Sequence, residues 1–408
     1  YDNNTTLREN AHLYEGHGSV SYTQEFSPEL TFSTNNIVTY KNLGVPGGLD
    51  WGLTPNDYQN DLILSTSNTI DIEHPMTWVE DLNITASYMF AQTFYHDKSP
   101  WGGDSEHNKH NAGLTAHVKW STNDDIALFS DLTYSLDYVD STDVGKNTRH
   151  TISLASNASF YFLDGNLSLH PSANIAYLTD IKAFSPNGSL GLIYTPIKDL
   201  DLKASVSYAE RFPTFSELYW PFMSNPDLKT ERGINGELGY AFNNSRVELE
   251  GSFFVRDIYQ GIIWDSVTSK PQNIDHSLYL GTEQTVSVAI MKDLDFSASY
   301  QYNKSFDLSG PYTIADNVEL WNVRKHTAKA ALTYTYETIE VYLDAQYLGK
   351  TQYLESVLLI NLNVSWQATE RLRTYVAIDN LLNTEYELST GGYPMPGIKV
   401  RLGGSVSF

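Results

Sequence analysis

Apolar and polar residues alternate one for one along most of this chain. In residues 294–303, LDFSASYQYN, Leu294, Phe296, Ala298, Tyr300 and Tyr302 share one parity, while Asp295, Ser297, Ser299, Gln301 and Asn303 take the other. The same period runs from Ile339 to Tyr347, where Val341, Leu343 and Ala345 alternate with Glu340, Asp344 and Gln346. It returns at 202–208 (LKASVSY), at 360–366 (INLNVSW) and in the closing segment 398–408 (IKVRLGGSVSF). Successive side chains of a strand point to opposite faces, so period two predicts strands. The second face is polar rather than weakly apolar. It must touch water, and the first needs an apolar surround.

The connections alternate in length. Short ones fall at 27–29, 122–125, 164–165, 243–245, 292–293 and 368–371. Long ones, rich in Gly, Pro, Trp and Asp, fall at 43–57, 98–107, 212–232, 265–275, 307–323 and 388–396. Tight turns on one side and long loops on the other are expected of an outer-membrane barrel. Counting hairpins predicts about nineteen strands of about 10 to 15 residues, enough to cross a bilayer at a tilt near ~45°. The expected fold is thus all-β, a transmembrane antiparallel β-barrel forming one domain over residues 1–408. The first and last strands both run inward by this count, so they cannot close an antiparallel wall together. We therefore expect an odd number of strands ahead of Tyr1. Three would bring the barrel to about 22, the size of plugged outer-membrane transporters.

Composition adjusts this picture in a few places. Net charge is −23, from 49 acidic and 26 basic residues, which excludes nucleic acid as the main partner. Cysteine is absent, so no disulfide framework, thiol nucleophile or cysteine metal site exists. Mean hydropathy is below zero and no apolar run approaches the roughly 18 residues of a membrane helix, which excludes helical spans and says nothing of strands. The 28 Tyr, 17 Phe and 8 Trp suit aromatic girdles at two membrane interfaces. No Walker loop, HExxH or GxSxG occurs, and no Ser/His pair stands out, so we expect no enzyme.

Three stretches carry a family resemblance. AIDNLLNTEYELSTGGYPMPGIKVRLGGSVSF (377–408) resembles the C-terminal signature of TonB-dependent outer-membrane receptors, through Asn380-Leu381, Tyr386, the Gly-Tyr-Pro-Met-Pro-Gly loop and the closing strand. SYAERFPTFSELYWPFMSNPDLKTE (207–231) is similar to the family's paired boxes, with Arg211-Phe212-Pro213 for the first and Asn225-Pro226-Asp227-Leu228 for the second. NVRKHTAKAALTY (322–334), NIDHSLYLGTEQTVSV (273–288) and GVPG (44–47) match weaker barrel patterns. The resemblance implies a receptor in the outer membrane of a Gram-negative-type bacterium, embedded in outer-membrane lipid. It implies that the receptor binds a scarce metal chelate and imports it to the periplasm, driven through the TonB complex. Phe408 then stands as the terminal aromatic of the barrel-assembly signal. Family members carry an N-terminal plug and a TonB-pairing segment that this sequence does not show, so we expect a barrel portion without its plug or first strands. If the plug were truly absent, the same wall would be a passive outer-membrane channel, and that is the alternative.

The ligand is less legible. Haem receptors of the family often place a histidine between the boxes, and residues 214–224 contain none. ELYWP followed by NPDL is nearer the cobalamin-receptor branch, with a ferric siderophore as the other choice. Loop aromatics that could stack on a corrin or catecholate are Trp51, Tyr58, Trp101, Tyr219, Trp220, Phe222, Trp321 and Tyr393. Each has a plainer role open to it as girdle or loop packing. Arg211 could grip a ligand carboxylate or phosphate, or tie down the neighbouring loop. No resident cofactor is expected. Asp104, Glu106, Asp140 and Asp143 offer oxygen ligands for Ca²⁺ in the extracellular loops, beside their ordinary reading as solvated acidic surface. His107 and His110 form a candidate pair, but no metal site is assigned to them.

Overall fold

The computed structural model describes residues 9–47, 52–98, 102–265, 268–310, 312–320, 323–389 and 393–407. Among the described residues there are nineteen strands in a single sheet, as the hairpin count predicts. They are β1 (Leu13–Ser27), β2 (Leu30–Gly44), β3 (Tyr58–Met76), β4 (Val79–His96), β5 (Ser105–Trp120), β6 (Ile126–Ser141) and β7 (Gly145–Phe162). Then come β8 (Leu167–Leu178), β9 (Ala183–Ile197), β10 (Leu200–Arg211), β11 (Glu231–Asn243), β12 (Val247–Asp265) and β13 (Lys270–Met291). The series ends with β14 (Leu294–Asp307), β15 (His326–Tyr336), β16 (Ile339–Leu348), β17 (Val357–Thr369), β18 (Leu372–Asp379) and β19 (Lys399–Val406). A short helix, α1 (Phe215–Tyr219), interrupts the connection between β10 and β11.

Each strand pairs antiparallel with the next. Among the described residues no ladder joins β1 to β19. The two run in the same direction, which is the parity the alternation of turns predicts. The sheet is therefore open in this chain.

Register carries one parity around the whole wall. Phe296 faces Leu332, Leu332 faces Leu343, and Leu343 faces Leu362. Farther round, Leu114 faces Tyr134 and Tyr134 faces Ile152. The other parity is polar: Thr115 faces Thr133, Lys203 faces Gly239, and Glu250 faces Thr285. Among the described residues no second protein layer covers the apolar belt. Leu132 stays 55% exposed and Tyr300 41% exposed, and each strand contacts chiefly its two neighbours. An apolar surface this extensive belongs against lipid. Saturating the backbone laterally is what lets such a wall cross hydrocarbon, where each unpaired peptide group costs several kcal/mol.

Aromatics mark both rims. Trp78 and Trp120 stack at 5.5 Å beside the short β3–β4 and β5–β6 turns. Tyr88, Phe90 and Tyr138 cluster around His110 toward the other end. The inner turns use left-handed residues to reverse in few steps: Glu337 (φ 53°) alone carries the β15–β16 reversal, and Gly165 (φ 87°) follows two left-handed residues in the β7–β8 turn. One loop is shorter than expected. The connection expected over 265–275 narrows to the residues between Asp265 and Lys270, because β13 begins at Lys270 and pairs along β12 from Asp265 onward. These strands project beyond the apolar belt, so alternation no longer marks them.

Candidate ligand-binding site

The β10–β11 connection folds inward instead of out into solvent. Thr214 caps α1: the Glu217 amide donates to its Oγ1 at 3.2 Å, and the Thr214 amide donates to Glu217 Oε2 at 2.7 Å. That is a capping box, written in the sequence as Thr-Phe-Ser-Glu. Glu217 also receives Arg211 Nη1 at 3.2 Å, and Arg211 Nη2 reaches Glu231 across the ladder at 3.4 Å. Arg211 thus sits between two carboxylates at the root of the loop and takes the loop-fastening role.

A second arginine anchors the far side. Arg149, on the polar face of β7, donates to Asp180 Oδ2 at 2.7 Å and to the Pro213 carbonyl at 3.1 Å. Its guanidinium lies 5.0 Å from the Phe215 ring. Trp220, closing α1, lies 6.0 Å from the His107 ring of β5. The return limb is fastened to β13: Asn225 donates to the Pro271 carbonyl at 3.2 Å, and the Lys229 amide donates to Asn273 Oδ1 at 2.8 Å. Arg149 therefore holds the start of α1 against the polar face of β7, while Arg211 and the two asparagines fasten the connection to β11 and β13.

Between α1 and that face lies a cavity of about 540 Å³, within the range of small-molecule sites. Phe215, Trp220, Met89 and Val139 supply apolar surface, and His107 and Lys109 supply polar edges. Lys109 makes no ion pair among the described residues, whereas Asp137 accepts from Asn111 at 2.6 Å. Among the described residues, the cavity offers aromatic planes and the unpaired Lys109 ammonium to a ligand entering from the long-loop side.

Trp220 is the expected ligand residue placed squarely in this cavity. Tyr219 is exposed on the same helix, and Phe222, just beyond it, is 94% exposed with a left-handed backbone (φ 62°). Tyr58 belongs elsewhere: it opens β3 on the apolar parity and stacks on His96 at 4.0 Å. Tyr393 lies in the β18–β19 connection, near a bridge between Glu387 and Pro394. In that connection Asn380 is buried, holding Thr384 through its amide and carbonyl, and burial pushes the Tyr386 phenol above its ordinary pKa. Trp51, Trp101, Trp321 and Phe408 lie outside the described residues.

The acidic candidates are separately engaged. Asp104 meets His96 and Lys98, Asp140 meets Lys146, Asp143 meets His107, and Glu106 accepts from Gln92 and Asn108. Among the described residues no three His, Asp or Glu side chains are grouped to hold a metal ion. His107 and His110 cannot act together, because three residues along a strand put them on opposite faces. His107 points inward to Ser141, and His110 points outward to Tyr88. Arg149, Phe215 and Met89 were not singled out from sequence. Only Phe215 had a local signal, inside the capping box.

The chain belongs to a family: the model for the TonB dependent receptor-like β-barrel matches residues 1–381. Such barrels are outer-membrane proteins of Gram-negative bacteria. Among curated relatives, the vitamin B12 transporter BtuB of Photobacterium profundum is 24% identical over 211 residues, covering 48% of this chain and 34% of that protein. The iron-regulated outer membrane virulence protein of Vibrio cholerae is 25% identical over 244 residues, covering 51% and 37%. The chain thus spans about a third of the length of the curated relatives it matches. Among solved structures, the copper transporter OprC overlays with a TM-score of 0.84 at 13% identity, covering 98% of this chain and 73% of that one. The ferric-catecholate import receptor Fiu of Escherichia coli K12 overlays at 0.80 with 11% identity, covering 98% and 75%. These likenesses show the fold, a β-barrel.

Proposed function

We propose that this chain is the barrel of an outer-membrane receptor that captures a bulky metal chelate, cobalamin or a ferric siderophore, and passes it to the periplasm with energy drawn through TonB. The observation that carries this reading is the inward-folded α1 segment, which makes an aromatic and cationic cavity on the long-loop side of the wall. A wall alone cannot concentrate a scarce solute, because passive flow only equalises it. A receptor first needs a site that holds the solute at the mouth, and α1 supplies one. A segment fastened across the inner face also counts against a freely open passive pore. The family relation to a B12 transporter and the fold shared with a ferric-catecholate receptor support the chelate class. The reading includes an odd number of further strands between β1 and β19, since their common direction forbids antiparallel closure; three give the roughly 22-stranded wall of plugged transporters.

Equilibrium binding tests the proposal. The intact receptor in detergent is titrated with cyanocobalamin and with ferric catecholate and hydroxamate chelates while tryptophan fluorescence is followed. One class should bind saturably, and Trp220→Ala should weaken it about tenfold, the effect of losing one aromatic anchor. Failure of every chelate to bind, together with a large steady conductance of the intact receptor in planar bilayers, overturns the reading.

A further inference from the structure

The apolar face of the wall is not uniform. Between β14 and β16 one rung is made of alanines: Ala298 faces Ala330, which faces Ala345. The rung on the inner side carries Phe296, Leu332 and Leu343, and the rung on the outer side carries Tyr300 and Tyr347 at its ends. Missing side-chain volume on one rung, between bulky neighbours, leaves a groove of about 450 Å³ that runs on to Leu358. It faces away from the lumen, on the side where Leu332, Leu343 and Tyr347 stay exposed.

What sits above the groove is polar and cationic. Tyr300 Oη lies 2.8 Å from His326 Nδ1. With the phenol as donor, Nε2 keeps its hydrogen and is left to donate to something else. Lys304 is on the same face, two residues outward of Tyr302, the ladder partner of His326. Same-face diagonal neighbours of this kind stand roughly 7–8 Å apart. The ammonium lies 4.9 Å from the Phe306 ring and makes no ion pair among the described residues. A lysine on a lipid-facing parity is stable where its amine reaches the headgroup layer. The groove therefore begins in hydrocarbon and ends under two cationic or donor groups.

We propose that this groove is a binding site for an outer-leaflet lipid with an anionic, phosphate-bearing headgroup. An acyl chain fills the alanine trough, and a headgroup phosphate meets Lys304 and the His326 Nε2–H. Charge complementarity selects this occupant: a neutral chain alone would leave the ammonium without a counter-charge, and a second copy of this chain would bring another Lys304 toward it. The geometry is repeated, which argues that it is built. Tyr88 meets His110 and Tyr134 meets His150, each at 2.8 Å. In all three pairs the histidine stands two residues outward of the tyrosine's ladder partner, which is Ala112, Ile152 or Ala328. A second outward groove, of about 520 Å³, lies beside Tyr88 between Val20, Val38 and Leu64. Of these two grooves, the β14–β16 one has a lysine above it among the described residues.

Native mass spectrometry of the intact receptor, released from detergent after incubation with defined lipids, reads the site directly. The probes are lipid A with both phosphates, the same lipid dephosphorylated, and phosphatidylethanolamine. We expect retention of the phosphorylated lipid, with Lys304→Gln weakening it about fivefold, the share of one cation near a headgroup. Ala330→Phe fills the trough and should lower retention of all three lipids. Migration of unheated and heated samples on gels confirms that each variant is folded. Equal retention of phosphorylated and dephosphorylated lipid overturns the headgroup assignment, and so does wild-type retention by Lys304→Gln. An Ala330→Phe variant that loses a dimer but no lipid assigns the groove to a second copy instead.

Discussion

The two faces of the wall share every backbone ladder and differ in almost everything else. On β6, Leu132 looks outward and stays largely exposed, while Thr133, the next residue, looks inward and meets Thr115 at 3.1 Å. Outward contacts are local, between neighbours on adjacent strands. Inward, the wall is crossed by α1, whose anchors come from strands far apart in sequence. The outward face is therefore set by solvent, here lipid, and the inward face by tertiary contacts. A charge tests the first most sharply. Leu132→Arg should destabilise the folded barrel by about 2 kcal/mol, between the cost of a cation near the interface and that at the bilayer midplane. Thr133→Lys should change it by less than about 1 kcal/mol, because the lumen is wet. Urea titration of protein refolded into vesicles measures both, and equal costs would remove the distinction between the faces.

That difference also explains what could be read from sequence. Period two is local information, so strand number, parity and the lipid-facing set (Leu294, Phe296, Tyr300) follow from the alternation alone. The site does not. The Arg149 contact with the Pro213 carbonyl joins residues 64 apart, and nothing near Arg149 in sequence marks it as different from any lumen-facing polar residue. The paired boxes bracket the loop that forms α1, and in the sequence Trp220 is only one loop aromatic among eight. They could not show that Arg211 would be held by Glu217 and Glu231, because that depends on α1 turning back over the strand end. Tyr58 was grouped with ligand aromatics for its place beside a long loop, but strand parity sends it outward to His96.

Loosening α1 sharpens the same comparison. Arg149→Met removes both anchors at once and leaves Asp180, only 9% exposed, without its partner. Hydrogen bonds to charged groups are worth about 1.5–3 kcal/mol. We expect about 2 kcal/mol of local stability to be lost, read as amide exchange roughly 30-fold faster in 214–220 with the strands unaffected. Thr214→Ala should act in the same direction and less: one cap is worth about 1 kcal/mol, or about fivefold faster exchange over the same segment. If the strands of β5–β7 loosened together with α1, the segment would be part of the wall's own stability and not a separate element laid on it.

The smallest expected effect lies on the outward face, in the tyrosine–histidine pairs. Tyr134→Phe deletes one hydrogen bond and leaves His150 Nδ1 without its phenol. Where water reaches the ring, it replaces the lost partner, and the cost should be about 0.6 kcal/mol, near the average for a single interhelical hydrogen bond in a membrane protein. Were the ring immersed in hydrocarbon, no replacement would exist and the cost would rise to about 2 kcal/mol or more. The measurement therefore locates the outer edge of the apolar belt relative to Leu132, which lies two residues from Tyr134 on the same strand and the same face. A small value for Tyr134→Phe beside a large one for Leu132→Arg puts that edge between them, at the height where the histidines begin. Two large values would put His150 in the hydrocarbon, and the rim would then begin farther out, near Tyr138.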